Sequence, residues 1–384
     1  MKAAAPYPFP KHTLRIVVGV MFFLAGLVFA SYASRIVTIQ QSFKLTNTAL
    51  GAVLFAVPIG LMCSLPFSGW IITVIGSKRL LIYALSFYSI TLIGLSLAQN
   101  VVELTIGLVF FGFASNAMNI SVNTQAIAAE EMYQKSIMAS FHGLWSFAGF
   151  VGAGIGSFMI AQEIKPLYHF IIIAAATVFI IMMIMRYLKN DQVATNGPIF
   201  VMPDKSLMLL GLIALCSMMC EGAMFDWSNV YFKEVIHVQA SLLGLGFTAF
   251  MLTMALFRLA IADKFKRKYG LRRILQLSGS LTVVGLALAV IFPYFYTALI
   301  GFLLVGAGVS SVVPMVYSEA GKSKTMRPGV ALAAVSTISF AGILLAPPII
   351  GFISGLINLR ASFTFIALMG TCVVILSTKA KFED

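Results

Sequence analysis

The most constraining feature of this sequence is its series of long apolar runs. Each run is close to the roughly 20 residues that an α-helix needs to cross about 30 Å of hydrocarbon. Of the 384 residues, 60% are hydrophobic and only 10% are charged. Such a composition carries too little charge for a soluble domain. The sequence therefore predicts an all-α integral membrane protein.

Twelve segments have the length and apolar character of a membrane span. A polar stretch at 188–205 separates the first six from the last six. We therefore predict an N-terminal six-helix bundle over 1–187, a cytoplasmic linker over 188–205 and a C-terminal six-helix bundle over 206–384. The expected spans are 14–36, 48–75, 79–98, 102–127, 137–161, 166–187, 206–232, 240–263, 271–292, 295–318, 328–354 and 360–379.

The distribution of basic residues explains the net charge of +13 without a nucleic-acid partner. Most Lys and Arg residues cluster between spans, as cytoplasmic loops do under the positive-inside rule. If the N-terminus is cytoplasmic, all but six of the 26 Lys and Arg residues lie on the cytoplasmic side. The exceptions are Arg258, inside a span, and Arg35, Lys44, Lys165, Lys233 and Arg360, on the outer side. The 20-to-5 bias predicts that both termini are cytoplasmic.

The two halves of the chain resemble each other. Gly76-Ser-Lys-Arg79 follows the second span, and Gly270-Leu-Arg272-Arg273 follows the eighth span 194 positions later. In the first and seventh spans, Gly26 corresponds to Gly222 at a similar offset. Equivalent positions in equivalent spans indicate an internal duplication, which is typical of transporters built from repeats.

These loops resemble the signature of the major facilitator superfamily. The copies are GWIITVIGSKR at 69–79 and RLAIADKFKRKYGLRR at 258–273, with Gly76, Arg79, Asp263 and Arg272 at signature positions. The second copy has Asp263 and Lys264 at the signature's Asp-Arg pair, whereas the first copy has Thr73 and Val74 there. The resemblance implies two pseudo-symmetric six-helix bundles with a solute site between them near the midplane.

Five further segments resemble a bacterial inner-membrane subgroup near the fucose-permease branch. They are FASYASR at 29–35, NAMNISVNTQA at 116–126, SFHGLWS at 140–146, EGAMFDWSNVY at 221–231 and GILLAPPIIGFISG at 342–355. The resemblance implies a monomeric secondary transporter in the inner membrane, without cofactor or enzymatic activity. It favours proton symport of a small, sugar-like solute. Efflux of drugs or metabolites is the first alternative, and a membrane enzyme or lipid scramblase is the second.

Glu221 and Asp226 are the two acidic residues that lie deep inside a predicted span. A carboxylate there is costly, so it faces a cavity or a partner. We expect Glu221 to couple protons or contact the solute; alternatively, it fastens the seventh span to a neighbour. Asp226 is a second candidate for proton coupling, and we expect it to close an outer gate with Arg35. The alternative is a local pair of Asp226 with Lys233.

The remaining candidates for solute contact are amides and aromatic residues. Asn116, Asn119 and Asn123 lie within about 60° on a helical wheel and form one polar stripe, which suits hydroxyl groups. Interhelical hydrogen bonding is the alternative. His142 and Trp145 share a face of the fifth span, where a ring could stack. Trp227 and Tyr32 either contact the solute or mark the outer membrane interface.

Other residue types have simpler interpretations. Cys216 and Cys220 are one helical turn apart, but no accompanying His or carboxylate completes a zinc site. No phosphate-binding Gly-Lys-Ser/Thr loop is present, so ATP is not the predicted energy source. Close helix packing is predicted at Gly149, Gly152, Gly154 and Gly156. Helix bends are predicted at Pro58, Pro314, Pro347 and Pro348.

Overall fold

The computed structural model describes residues 7–134, 137–190, 204–323, 326 and 328–380, without the side chains of 260–268, 328–329 and 333. A π-helical turn lies at Phe257–Ile261. The α-helices in these ranges are α1 Lys11–Ser34, α2 Ile36–Ser42, α3 Asn47–Leu54, α4 Ala56–Leu97, α5 Val101–Tyr133, α6 Met138–Ala161, α7 Pro166–Ile184, α8 Lys205–Glu234, α9 Leu245–Leu256, α10 Ala262–Ile291, α11 Phe295–Val309, α12 Val312–Ala320, α13 Pro328–Leu356 and α14 Leu359–Lys379.

The helices confirm the prediction of an all-α, multi-pass membrane protein. Across the described ranges, eleven helical stretches are long and apolar enough to span a bilayer. One of them, Asn47–Leu97, contains 51 residues and would be about 75 Å long if straight, more than twice the hydrocarbon thickness. It breaks at Gly76. This single stretch therefore contains two predicted spans, 48–75 and 79–98.

Gly76 and Gly270 confirm the predicted correspondence between the two signature loops. Their backbone angles are nearly identical, φ 80° and ψ 162° for Gly76 and φ 75° and ψ 162° for Gly270. This region of backbone space is essentially restricted to glycine. The pair marks the turn between consecutive spans in each half, 194 positions apart.

The chain forms two compact units. Unit 1 contains Met1–Thr38 and Ala56–Asn196, and unit 2 contains Ile39–Phe55 and Gly197–Asp384. The segment Ile39–Phe55, which includes most of α2 and all of α3, therefore belongs with the C-terminal helices. Most of the linker predicted at 188–205 lies outside the described residues.

Glycines bring the helices of unit 1 into close contact. A Cβ at Gly60 in α4 would overlap the carbonyl oxygen of Val109 in α5, and one at Gly112 would overlap that of Val57. Between α1 and α6, Gly152 lies against Ala30 and Gly156 against Ser34, whereas Gly154 faces open space. The predicted packing role is therefore confirmed for Gly152 and Gly156 and is wrong for Gly154.

Unit 2 is built around α8, which is buried along most of its length. It packs against α13 and α14, and a Cβ at Gly342 of α13 would overlap the carbonyl oxygen of Leu215 in α8. The helix α3 lies on another part of α13, where a Cβ at Gly51 would come within 2.9 Å of the Cα of Gly351. Close backbone contact of this kind is how apolar helices associate where the surrounding lipid is equally apolar.

Candidate functional site

A buried ion pair between Glu221 and Arg258 is the main polar feature of unit 2. Arg258 Nη2 lies 3.0 Å from Glu221 Oε1, and the two side chains are 11% and 8% exposed. The same guanidinium donates from Nε to the carbonyl oxygen of Ser310 at 3.0 Å. The partner of Glu221 is therefore a basic residue 37 positions away, on the following span.

The local backbone explains how Arg258 obtains both partners. Arg258 lies in the π-helical turn Phe257–Ile261, a local widening that often occurs at functional sites. Pro314 has no N–H, so it cannot donate to the carbonyl of Ser310, four residues earlier. Between Val309, the end of α11, and Val312, the start of α12, this carbonyl is available to Arg258. The bend expected at Pro314 thus supplies an acceptor to the ion pair.

Polar groups on neighbouring turns surround the pair. Ser217 lies one turn before Glu221 on the same face of α8; it is 2% exposed, and its Oγ has no hydrogen-bond partner among the described residues. Tyr317 of α12 is close enough to Glu221 for an electrostatic interaction. Its hydroxyl lies 4.0 Å from Met218 Sδ. Among the described side chains, the surroundings of Glu221 therefore include the Arg258 cation and the hydroxyl groups of Ser217 and Tyr317.

Further along α8, the predicted site residues differ in exposure. Asp226 is half-buried, and no ion pair joins it to Lys233 in the described chain. The Nζ of Lys233 lies 3.4 Å from Gln40 Oε1 instead, so the local alternative for Asp226 is wrong. Trp227 is completely buried, and its Nε1 has no partner in the part of the chain that the structure describes. It is therefore not an exposed marker of the membrane interface.

The asparagine stripe of α5 lies in unit 1. Asn123 Nδ2 donates to the side-chain oxygen of Asn119 at 2.9 Å and to its carbonyl at 2.8 Å. Both residues are half-buried. Asn116 is 3% exposed, and its Nδ2 has no partner within the described ranges. The predicted stripe therefore brings Asn119 and Asn123 together and leaves the Nδ2 of Asn116 as a buried amide donor.

The predicted aromatic residues pack around α1. Trp145 of α6 lies 5.6 Å from the ring of Phe29, and His142 lies 5.3 Å from that of Phe22, measured between ring centroids. Both α6 side chains are half-buried. Tyr32 is 1% exposed, so it, too, does not mark the membrane interface. A contact of these residues with a solute stays a prediction.

Arg35, predicted to be a gate residue, is held inside unit 1. It is 3% exposed, and its Nη2 donates to the carbonyl of Ile164 at 2.8 Å. Its Nε lies 3.3 Å from Nδ1 of His169, which is itself completely buried. Asp226 belongs to unit 2, and the predicted gate between them stays a prediction. No motif or spacing in the sequence predicted that His169 would lie beside Arg35.

The signature-loop residues are partly described. Arg79 is exposed, and Arg272 donates to the carbonyl of Ala380 at 3.0 Å. The side chain of Asp263 lies outside the described residues. Gln125 joins the first loop from the far side of α5, donating to Ser77 Oγ at 2.6 Å and to the carbonyl of Lys189 at 2.8 Å. The side-chain amide of Gln125 therefore holds the first signature loop in place, and this loop is the copy that lacks the Asp-Arg pair.

A second polar cluster in unit 2 was not predicted. Asn47 Nδ2 lies 2.7 Å from Glu234 Oε2 and 2.9 Å from Ser354 Oγ. Gln40 Nε2 donates to Asn47 Oδ1 at 2.8 Å and to Glu234 Oε1 at 3.1 Å. The cluster fastens the segment Ile39–Phe55 to the ends of α8 and α13. Its sequence signal is weak, because each member lies near a helix end where polar residues are common.

A chain with this many apolar helices is a polytopic membrane protein, and charged side chains kept inside such helices point to a functional site. Sequence comparison establishes the family. The model of the Major Facilitator Superfamily matches residues 18–318 and 207–383. The chain therefore belongs to the major facilitator superfamily, a family of transporters.

Relatives support the same assignment. The chain is 32% identical over 352 residues to an uncharacterised MFS-type transporter of Yersinia pestis, covering 91% of each protein. It is 29% identical over 358 residues to the membrane protein MosC of Rhizobium meliloti, covering 93% of this chain and 87% of that one.

Solved structures with the same fold include two transporters. The nucleoside transporter NupG matches with a TM-score of 0.70 at 15% identity, covering 95% of this chain and 98% of that one. The major facilitator FucP, in its outward conformation, matches with a TM-score of 0.67 at 15% identity, covering 98% and 99%. At this identity the matches show the fold alone.

Proposed function

We propose that the protein is a secondary active transporter that moves a small polar solute by alternating access, coupled to protons through Glu221. The observation that carries the proposal is the Glu221–Arg258 ion pair, whose side chains are 8% and 11% exposed. In this proposal the carboxylate exchanges its proton with water on the side of the membrane to which the site is open. Proton movement is a strong energy source, because one charge crossing 100 mV yields about 2.3 kcal/mol.

Buried hydrogen-bonding groups support a polar cargo. In unit 2, Trp227 Nε1 and Ser217 Oγ have no partner among the described residues. A buried polar group without a partner costs about 1–3 kcal/mol and requires an explanation. A solute carrying hydroxyl or carbonyl groups supplies those partners when bound. A sugar-like metabolite fits this requirement.

We further propose that the chain acts as a monomer in the bacterial inner membrane with both termini cytoplasmic, and that it is related to the fucose-permease branch. The basic residues between spans support the orientation, and the five segments in the sequence analysis support the branch. Reporter fusions at each terminus test the orientation, and a periplasmic signal from either fusion would contradict it.

The coupling role is tested in proteoliposomes that contain purified protein. We expect an inward proton gradient to drive uptake of the solute against its concentration. Glu221→Gln should abolish this accumulation while leaving counterflow exchange intact, because exchange requires no net proton movement. Glu319→Gln is a matched control, since Glu319 is also buried but pairs with Lys322 at 2.8 Å outside the proposed site.

The results separate coupling from binding. Loss of both accumulation and counterflow in the folded Glu221→Gln variant would make Glu221 a binding residue rather than a coupling residue. Normal proton-driven accumulation in this variant would contradict the proposed coupling altogether.

A further inference from the structure

We propose that one end of unit 1 binds the headgroup of an anionic phospholipid. This end, here called the basic end, contains the start of α1, the turn at Gly76, the end of α5 and the segment that follows α7. The inference goes beyond the proposed transport function and does not depend on it. It rests on cations held beside tyrosine rings, on the net charge of these segments and on the apolar side chains next to them.

Side-chain contacts bring the segments of the basic end together. The hydroxyl of Tyr7, which precedes α1, donates to the carbonyl of Tyr187 at 2.6 Å. The Nζ of Lys78, in the first signature loop, lies 3.4 Å from the carbonyl oxygen of Arg186. The N-terminal segment, the turn at Gly76 and the segment after α7 therefore meet at one end of the unit.

Two cations of α1 share one aromatic ring at the end of α5. Lys11 Nζ lies 5.0 Å and Arg15 Cζ lies 5.4 Å from the centre of the Tyr133 ring, within the range of cation–π contacts. The two charges are therefore at most about 10 Å apart, close to the screening length in physiological salt. Like charges at this separation repel each other, and a phosphate that contacts both relieves the repulsion.

A second pair of cations lies beside Tyr187. Arg186 Cζ is 4.6 Å from the centre of the Tyr187 ring, and Lys78 lies at the carbonyl of Arg186. Arg186 is exposed and Lys78 is half-buried. Arg186 Nη2 also contacts the Tyr187 hydroxyl, but a guanidinium has five N–H donors. A guanidinium fork beside an ammonium group is a combination that binds phosphate oxygens well.

The whole basic end carries an excess of positive charge. The segments 1–15, 76–80, 130–137 and 186–196 contain eight Lys or Arg residues and three Asp or Glu residues, a net charge of +5. This count covers every residue of the four segments, including those outside the described ranges. Even if each acidic residue neutralised one cation, five cations would remain. The basic end therefore attracts an anion whichever local pairs form.

Apolar side chains next to Arg186 indicate that this anion is a lipid. Met183 and Met182 lie three and four residues before Arg186, about one helical turn away, and are 61% and 56% exposed. Phe179, a further turn back, is 58% exposed. Exposed apolar side chains on a membrane-spanning helix contact acyl chains. A molecule that contacts both these residues and Arg186 needs an acyl chain and an anionic headgroup, joined at the interface where tyrosines are enriched.

The net charge selects among phospholipids. Phosphatidylcholine carries its own cation and has no net charge, so the basic end attracts it weakly. Phosphatidylglycerol carries one phosphodiester charge and no cation. Each basic residue at an anionic membrane surface is worth about fivefold in affinity. An anionic phospholipid therefore fits the site better than a zwitterionic one.

The experiment uses purified full-length protein in a neutral detergent. Thermal stability is measured against the concentration of phosphatidylglycerol and of phosphatidylcholine with the same acyl chains, because a ligand that binds only the folded state stabilises it. We expect phosphatidylglycerol to bind at least about fivefold more tightly, and we expect this difference to shrink as salt is added. Glycerol 3-phosphate, which has the phosphate without acyl chains, should give no response at the same concentrations.

Double variants test the two pairs of cations. Lys11→Gln with Arg15→Gln, and separately Lys78→Gln with Arg186→Gln, should each weaken the binding of phosphatidylglycerol at least about fivefold. The exchanged variant Lys11→Arg with Arg15→Lys keeps both charges and should bind phosphatidylglycerol as the native protein does.

A matched control removes the same charge elsewhere. Lys44, before α3, and Lys165, before α7, are both exposed and lie outside the basic end. Lys44→Gln with Lys165→Gln should leave the binding of phosphatidylglycerol unchanged.

Each result decides the proposal. Equal binding of the two phospholipids, unchanged binding in both double variants of the basic end, or an equal loss in the matched control would overturn it. A response to glycerol 3-phosphate as strong as that to phosphatidylglycerol would assign the site to soluble phosphates and overturn the lipid. Loss of binding in the folded exchanged variant would refute the role of charge, and this test holds even if the charge-removing variants do not fold.

Discussion

Removing one member of the Glu221–Arg258 pair should destabilise the protein more than removing both. The N–O distance is 3.0 Å, and Coulomb's law gives about 5.5 kcal/mol of attraction at an effective dielectric constant of about 20. Breaking a buried pair by deleting one partner typically costs about 3–5 kcal/mol, because it leaves an uncompensated charge. Arg258→Gln should lie in this range, since it leaves Glu221 without its cation.

The double variant Glu221→Gln with Arg258→Gln leaves no charge behind, so its loss of stability should be clearly smaller than the sum of the single losses. A coupling energy of about 1–3 kcal/mol is expected for residues in direct contact. The free energies of unfolding can be measured by reversible titration with denaturing detergent in mixed micelles. Tryptophan fluorescence supplies the signal, because Trp227 is completely buried in the folded protein.

Additive single and double variants, or single variants as stable as the native chain at neutral pH, would show that the pair is not an electrostatically coupled unit. Either result would also remove the main support for a coupling role of Glu221.

Three further predictions concern other sites. Gly76→Ala should lower the free energy of unfolding by about 1–3 kcal/mol because φ is positive at Gly76. Gly154→Ala, at a position that faces open space, should change the free energy of unfolding by less than about 0.5 kcal/mol. Equal effects of the two variants in the same detergent titration would contradict the strain argument. Asn47→Ala removes a hydrogen-bond donor from Glu234 and should lower the free energy of unfolding by about 1–3 kcal/mol. Adding Glu234→Gln to this variant should partly restore the free energy of unfolding. Trp227→Phe removes a buried N–H without a described partner and also part of a completely buried ring, so the two effects on stability oppose each other. Solute affinity in a thermal-shift assay should fall, and unchanged affinity would exclude Trp227 from the site.

The sequence alone determined the helical architecture. Apolar run length predicted the membrane spans, since each span must cover the hydrocarbon thickness on its own. The signature loops predicted that Gly76 and Gly270 are equivalent. A backbone conformation that is essentially restricted to glycine requires a glycine at that position in both loops, and this glycine can be recognised in the sequence. These features are local, and local features can be read from the order of residues.

Only the tertiary structure decided which side chains meet. Arg258 was visible as a basic residue inside a span, but its pairing with Glu221 depends on the rotation of two helices and on the carbonyl freed by Pro314. The same holds for His169 beside Arg35. In a soluble helix, polar periodicity identifies the buried face. Here lipid-facing and core-facing residues are equally apolar, so the sequence does not show which face of a span is buried, and the partners of its polar residues emerge only once the helices have packed.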